Sequence, residues 1–99
     1  MKIPKQFQIS KKLYTVSLVR SMSRKYSMGQ IIYQEKAIQI ARNSSDLLHK
    51  YTEDERNYVF YHELTHAILE DMGHRLYNNE PFVEKFSKRL HEAIRTAEV

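Results

Sequence analysis

Thr52-Glu53-Asp54-Glu55-Arg56-Asn57-Tyr58-Val59-Phe60-Tyr61-His62-Glu63-Leu64-Thr65-His66-Ala67-Ile68 is the stretch on which the reading of this chain turns. Thr52 with Glu55 three residues on spells a capping box, in which each side chain accepts from the other residue's backbone N–H. A helix is therefore expected from about Glu53. No proline interrupts it before Met72, and Gly73 then supplies a residue suited to the left-handed position just past a helix end. Within the expected helix, 53–72, Phe60, Leu64, Ala67 and Ile68 form an apolar arc roughly opposite His62 and His66. One side can be buried while the other faces a cleft.

Downstream, Asn78-Asn79-Glu80-Pro81 offers capping residues and a proline fit for a first helical turn. Phe82, Val83, Phe86, Leu90, Ile94 and Ala97 recur at spacings of three and four, predicting an amphipathic helix over 80–97. Upstream the period changes. Ile3, Phe7 and Ile9 precede Leu13–Val19, where Tyr14, Val16 and Leu18 alternate with smaller or polar neighbours, as in half-buried strands. Arg20 to Gly29 is polar and ends in glycine, which marks a loop. Gln30–Tyr33 and Ala37–Ala41 predict a hairpin around Gln34-Glu35-Lys36, with Ile38 and Ile40 on one face. Asn43-Ser44-Ser45 closes the sheet region. The expected fold class is α+β: a small antiparallel or mixed sheet over 1–42, then two helices packed on it as a hairpin, in one domain spanning 1–99.

The 99 residues suit a single core, and 41% hydrophobic with 28% charged residues is an ordinary globular balance. The sequence has no cysteine, which excludes a disulfide framework, thiolate zinc fingers, iron–sulfur ligation and a cysteine nucleophile. A transition metal would have to be held by His, Asp or Glu, and five His are present. No run approaches the roughly 18 apolar residues of a membrane span. The N-terminal stretch lacks an apolar signal region, so a soluble cytoplasmic protein with no membrane association is expected. Charge is uneven. Residues 1–50 carry ten Lys/Arg against two acids, net +8, and residues 51–99 carry six against ten, net −4. A basic half can attract nucleic acid or an acidic protein, although lysines on exposed strand edges also discourage aggregation.

His62-Glu63-Leu64-Thr65-His66 is an H-E-x-x-H string. Four residues turn a helix by about 400°, so the two imidazoles share a face about one turn apart and can reach one zinc ion. Glu63 lies beside them, placed to touch the metal's water without being a ligand. A third protein ligand is needed. Glu70 lies about 12 Å along the axis from His62, too far to share the ion. His74 is at the wrong offset for a three-histidine arrangement. Glu80 and Glu84 on the returning helix remain. Glu80 sits on the flank of the apolar face and is the better placed, whereas Glu84 projects almost opposite that face.

His62–Leu69, Met72-Gly73 and Asn79-Glu80-Pro81-Phe82-Val83-Glu84 with Phe86 resemble the small zincin-type metallopeptidase-like proteins of phages and prophages, relatives of the ImmA/IrrE group. The resemblance covers residues 58–97. It implies a minimal zincin-like core and a gluzincin-type site, with Glu80 completing a zinc set begun by His62 and His66. It further implies a zinc-dependent peptidase acting on a peptide or protein substrate, with Glu63 as general base. Tyr58, Tyr61, Tyr77, His74 and His91 are all able to donate to an oxyanion, and the sequence does not choose between them. Gln30–Tyr33, as an exposed edge, is a candidate peptide-binding strand. The alternative expectation is a non-catalytic metal-binding phage accessory protein that uses its basic half to hold nucleic acid or an acidic partner.

Overall fold

A computed structural model describes residues 2–25 and 27–99, so residue 26, within the expected loop, and residue 1 lie outside the described part. The chain is α+β, with four strands followed by two helices. Strands β1 (Gln6–Ile9), β2 (Lys12–Val19), β3 (Gly29–Ile32) and β4 (Ala37–Ala41) form one mixed sheet in the order β1-β2-β4-β3. β1 pairs antiparallel with β2, β2 runs parallel to β4, and β3 returns antiparallel to β4. Among the described residues, the β1 and β3 edges of the sheet therefore have no neighbouring strand.

Local chemistry explains the turns. Ser10 and Lys11, between β1 and β2, both sit at positive φ, 50° and 66°, the signature of a two-residue turn that matches strand twist. Ser10 Oγ donates to Asp71 Oδ2 at 2.7 Å and Lys12 Nζ pairs with Asp71 Oδ1 at 3.0 Å, tying this hairpin to the first helix. The hairpin expected around Gln34-Glu35-Lys36 is present as β3–β4. Its connection is a single 3-10 turn, Tyr33–Glu35, closed by Lys36 at φ 50°. Tyr33 thus belongs to the turn and not to the strand.

Helix α1 (Glu53–Asp71) begins at Thr52 with both arms of the capping box made: Thr52 N to Glu55 Oε1 at 2.8 Å and Glu55 N to Thr52 Oγ1 at 3.1 Å. It ends with Met72 as the cap and Gly73 at φ 65°. Helix α2 (Glu80–Thr96) starts at Asn79, whose side chain accepts from Phe82 N at 3.0 Å. α1 lies across β3 and β4, and α2 leans chiefly on α1, so the pair does not rest on the sheet as a whole.

The core joins Ile38 and Ile40 of β4 to Val59, Phe60 and Tyr61 of α1, with Phe7, Val16, Ile31, Leu64 and Leu90 packed against it. Phe7 stacks on Tyr14 and meets Phe60 edge-on. Several apolar positions fall outside this core. Leu18 at the far end of β2 and Ile68 on α1 are partly exposed, and Phe86 and Ile94 on α2 are half exposed. The buried centre of α2 is instead Val83 with Ser87. A helix packed on another helix buries a narrower stripe than one lying on a sheet, which is why Phe86 does not mark the centre of the packed face.

Candidate metal centre

α1 is buried on two sides. Towards the sheet it presents Val59, Phe60 and Glu63; towards α2 and the connecting segment it presents His62 and His66. The carboxylate of Glu80, in the first turn of α2, bridges these imidazoles. His62 Nε2 lies 3.1 Å from Oε2 and His66 Nε2 lies 2.9 Å from Oε1. One ligand atom from each of the three residues fits within 4.8 Å of the others. The structure brings His62, His66 and Glu80, the three residues named from sequence, into mutual contact.

The opposite ring nitrogens decide what this cluster can hold. His66 Nδ1 lies 2.6 Å from the Tyr77 carbonyl, which can only accept, so Nδ1 carries the proton. Ser87 Oγ donates to the Val83 carbonyl at 2.7 Å, which leaves its lone pairs towards His62 Nδ1 at 3.4 Å. A neutral imidazole in either position therefore turns an Nε2 lone pair towards Glu80. In that neutral form two lone pairs and a carboxylate converge, an arrangement that suits a divalent cation, whereas an imidazolium would donate to Glu80. Burial, foremost, and the neighbouring His66 favour the neutral form of His62, while the Glu80 carboxylate opposes them; the net shift lowers its pKa. Two nitrogen ligands and one oxygen ligand from three protein groups could hold a metal ion between them.

Glu63, predicted as the general base, is 7% exposed and lines the same cleft. Burial, with Glu80 nearby as a like charge, pushes its carboxyl up to about 8. A cation held by Glu80 would reverse the repulsion and favour the ionised form. Glu84 also reaches the cleft wall, but its carboxylate pairs with Lys88 at 3.0 Å, which holds it below its ordinary range. The expectation that it projects away is corrected to that extent: it stands at the rim, facing Lys88. Glu70 stays out of the cluster, as expected.

The cleft measures about 670 Å³ and runs between the cluster, the free edge of β3 and the segment before it, with Arg24 and Lys25 on its rim. Gly29 lets β3 approach α1. A Cβ there would lie 2.6 Å from Val59 Cγ1 and 2.9 Å from the Gln39 carbonyl. Of the donor residues named from sequence, Tyr58 lines the cleft. Tyr61 is packed against Phe60 and His91, and His91 pairs with Asp54 at 3.1 Å, away from the cluster. His74 and Tyr77 line a second, smaller hollow. Sequence reasoning named Tyr33 only within a candidate peptide-binding strand and Asn78 only as a capping residue, and both stand in the cleft wall. Neither belongs to a motif, and only the fold brings positions 33 and 78 together. Among the described residues no helix is long and apolar enough to cross a membrane. Comparison with family models, curated proteins and solved structures finds no match to this chain.

Proposed function

We propose that this protein is a zinc-dependent metallopeptidase of zincin-like type, as the resemblance of residues 58–97 to the ImmA/IrrE relatives implies. The observation that supports it most is the meeting of His62 and His66 with Glu80 while both Nδ1 atoms are engaged elsewhere. Bound at these three residues, zinc would supply Lewis-acid polarisation of a peptide carbonyl and lower the pKa of water towards about 7. Glu63 takes the proton of the attacking water and returns it to the leaving amine, a role that a buried carboxylate beside the cluster suits. The Tyr77 carbonyl and Ser87 hydroxyl hold the imidazoles in one tautomer and orientation. The free β3 edge gives an extended peptide backbone hydrogen-bonding groups to pair with.

Metal analysis of the purified protein with a peptide-library cleavage assay tests this. One zinc per chain is expected, with occupancy falling sharply in His62→Ala, His66→Ala and Glu80→Ala. Glu63→Gln should keep the metal and lose cleavage by about 10²- to 10⁴-fold, the usual contribution of a general base. Zinc bound without turnover of any peptide would favour the non-catalytic accessory reading, with the basic half as its contact for nucleic acid or an acidic protein.

A further inference from the structure

The proposed reaction develops negative charge on the former carbonyl oxygen, and the metal cluster, being all acceptors, offers that oxygen no hydrogen bond. Donors must come from elsewhere in the cleft. Tyr33 and Asn78 approach from opposite sides of the chain's topology, one from the turn after β3 and the other from the segment between the helices. Tyr33 Oη lies 3.1 Å from Asn78 Oδ1. A hydroxyl and a carboxamide together own three polar hydrogens, and a bond between them uses one. At least two are left over, whichever way round the amide stands. Both residues line the same cleft as His62, Glu63, His66 and Glu80.

Their backbone is fixed to the metal set. The Tyr33 ring packs edge-on against Tyr77 at 5.7 Å between centroids, the Tyr77 carbonyl accepts a hydrogen bond from His66 Nδ1, and Asn78 lies two residues before Glu80. Burial, foremost, and the carboxylate of Glu63 raise the Tyr33 hydroxyl above its ordinary range, so it remains a donor at neutral pH. Tyr58 is the rival. Its hydroxyl faces Ser87, the residue that also meets His62 Nδ1.

We propose that the Tyr33 hydroxyl and the Asn78 side-chain amide are the oxyanion-binding pair of this cleft, resting on the metallopeptidase reading above. When a tetrahedral oxygen arrives, the hydroxyl–amide bond opens and both groups donate to it, with the mutual bond serving to keep them poised beforehand. This makes both catalytic residues, one contributed by the turn between β3 and β4 and one by the segment between the helices.

The test uses zinc-loaded protein and two calorimetric titrations, which read binding and need no turnover. The first probe is an N-acetylated alanyl-alanine phosphinic dipeptide, whose tetrahedral P–O⁻ imitates the oxyanion. The second is acetohydroxamate, a planar metal chelator. Tyr33→Phe, which keeps the ring against Tyr77, and Asn78→Ala, an exposed position, should each weaken the phosphinate about 10- to 100-fold, the loss typical of a donor to a charged oxygen. Zinc content and acetohydroxamate affinity should stay within about twofold. Unchanged phosphinate affinity in both variants, an equal loss for both probes, or a zinc-loaded parent that ignores the phosphinate overturns the assignment alone. A parent protein that takes up no zinc overturns the metallopeptidase reading and this pair with it.

Discussion

Gly29 is the residue at which one added carbon has the most to disturb. Its place is demanded by closeness, since the missing Cβ would press on Val59 of α1 and on the backbone of β4. The backbone carbonyl cannot swing aside as a side chain can. Gly29→Ala should therefore cost about 1–3 kcal/mol as overpacking. In a chain of this size that is about 4–8 °C of Tm for each kcal/mol, readable by thermal unfolding. Glu63 Cγ stands 3.8 Å from the same point, an ordinary contact, so the strain falls on Val59 and the Gln39 carbonyl. From the sequence Gly29 reads as the end of a loop, because composition reports a glycine's punctuation and not the proximity of a helix thirty residues later. His62, His66 and Glu80 were legible for the opposite reason: a fixed helical pitch and a capped first turn place them. Tyr33 and Asn78 depend on tertiary packing across 45 positions, and nothing local signals it.

Among the elements, α1 is the most fully written in its sequence. Its start, its end and its two histidines all follow from residue spacing, and each is found where that spacing puts it. Thr52→Ala should remove one arm of the box and cost about 0.5–2 kcal/mol, measured by chemical denaturation. The other arm is sensitive to acid. The Thr52 backbone N–H, more than His49, holds the Glu55 carboxyl below its ordinary value. A carboxyl depressed in the folded state contributes stability above its unfolded pKa of about 4.3 and loses that contribution as pH falls through the folded value. Amide protection factors at residues 53–56, taken against the intrinsic exchange rate at each pH, are therefore expected to fall below about pH 4 in the parent and to respond less in Glu55→Gln. The β1–β2 connection was the least legible element. Ser10-Lys11 lacks the Asn-Gly or Asp-Gly signal of a two-residue turn. The left-handed backbone at both positions is held partly from outside, by Ser10 and Lys12 on Asp71.

At the scale of the molecule, one sheet, one helix laid on it and a second helix laid on the first give a cleft with walls from three sources. The α+β order was readable because hydrophobic period changes from two to about 3.6 near position 50. The layering was not, since an amphipathic stripe does not declare whether it meets a sheet or another helix. Loading with zinc at about 100 times its Kd should add about 2.7 kcal/mol by mass action and raise Tm by at least about 10 °C. A chelator should abolish the increment, and His66→Ala should show none. An identical melting curve with and without zinc would count against the centre.

α2 carries a strongly segregated apolar stripe yet sinks only Val83 and Ser87 out of water, so its grip on the body is light. The carboxylate at its leading end supplies what the stripe does not, and an ion there would rivet the helix at one tip. Stripped of that rivet, the molecule should lose its last segment as a swinging arm well before the sheet gives way. Hydrogen–deuterium exchange would then show residues 80–96 brightening together in chelator while β2 and β4 stay dark. The same ion that equips the cleft for chemistry would thus decide whether the cleft keeps its third wall at all.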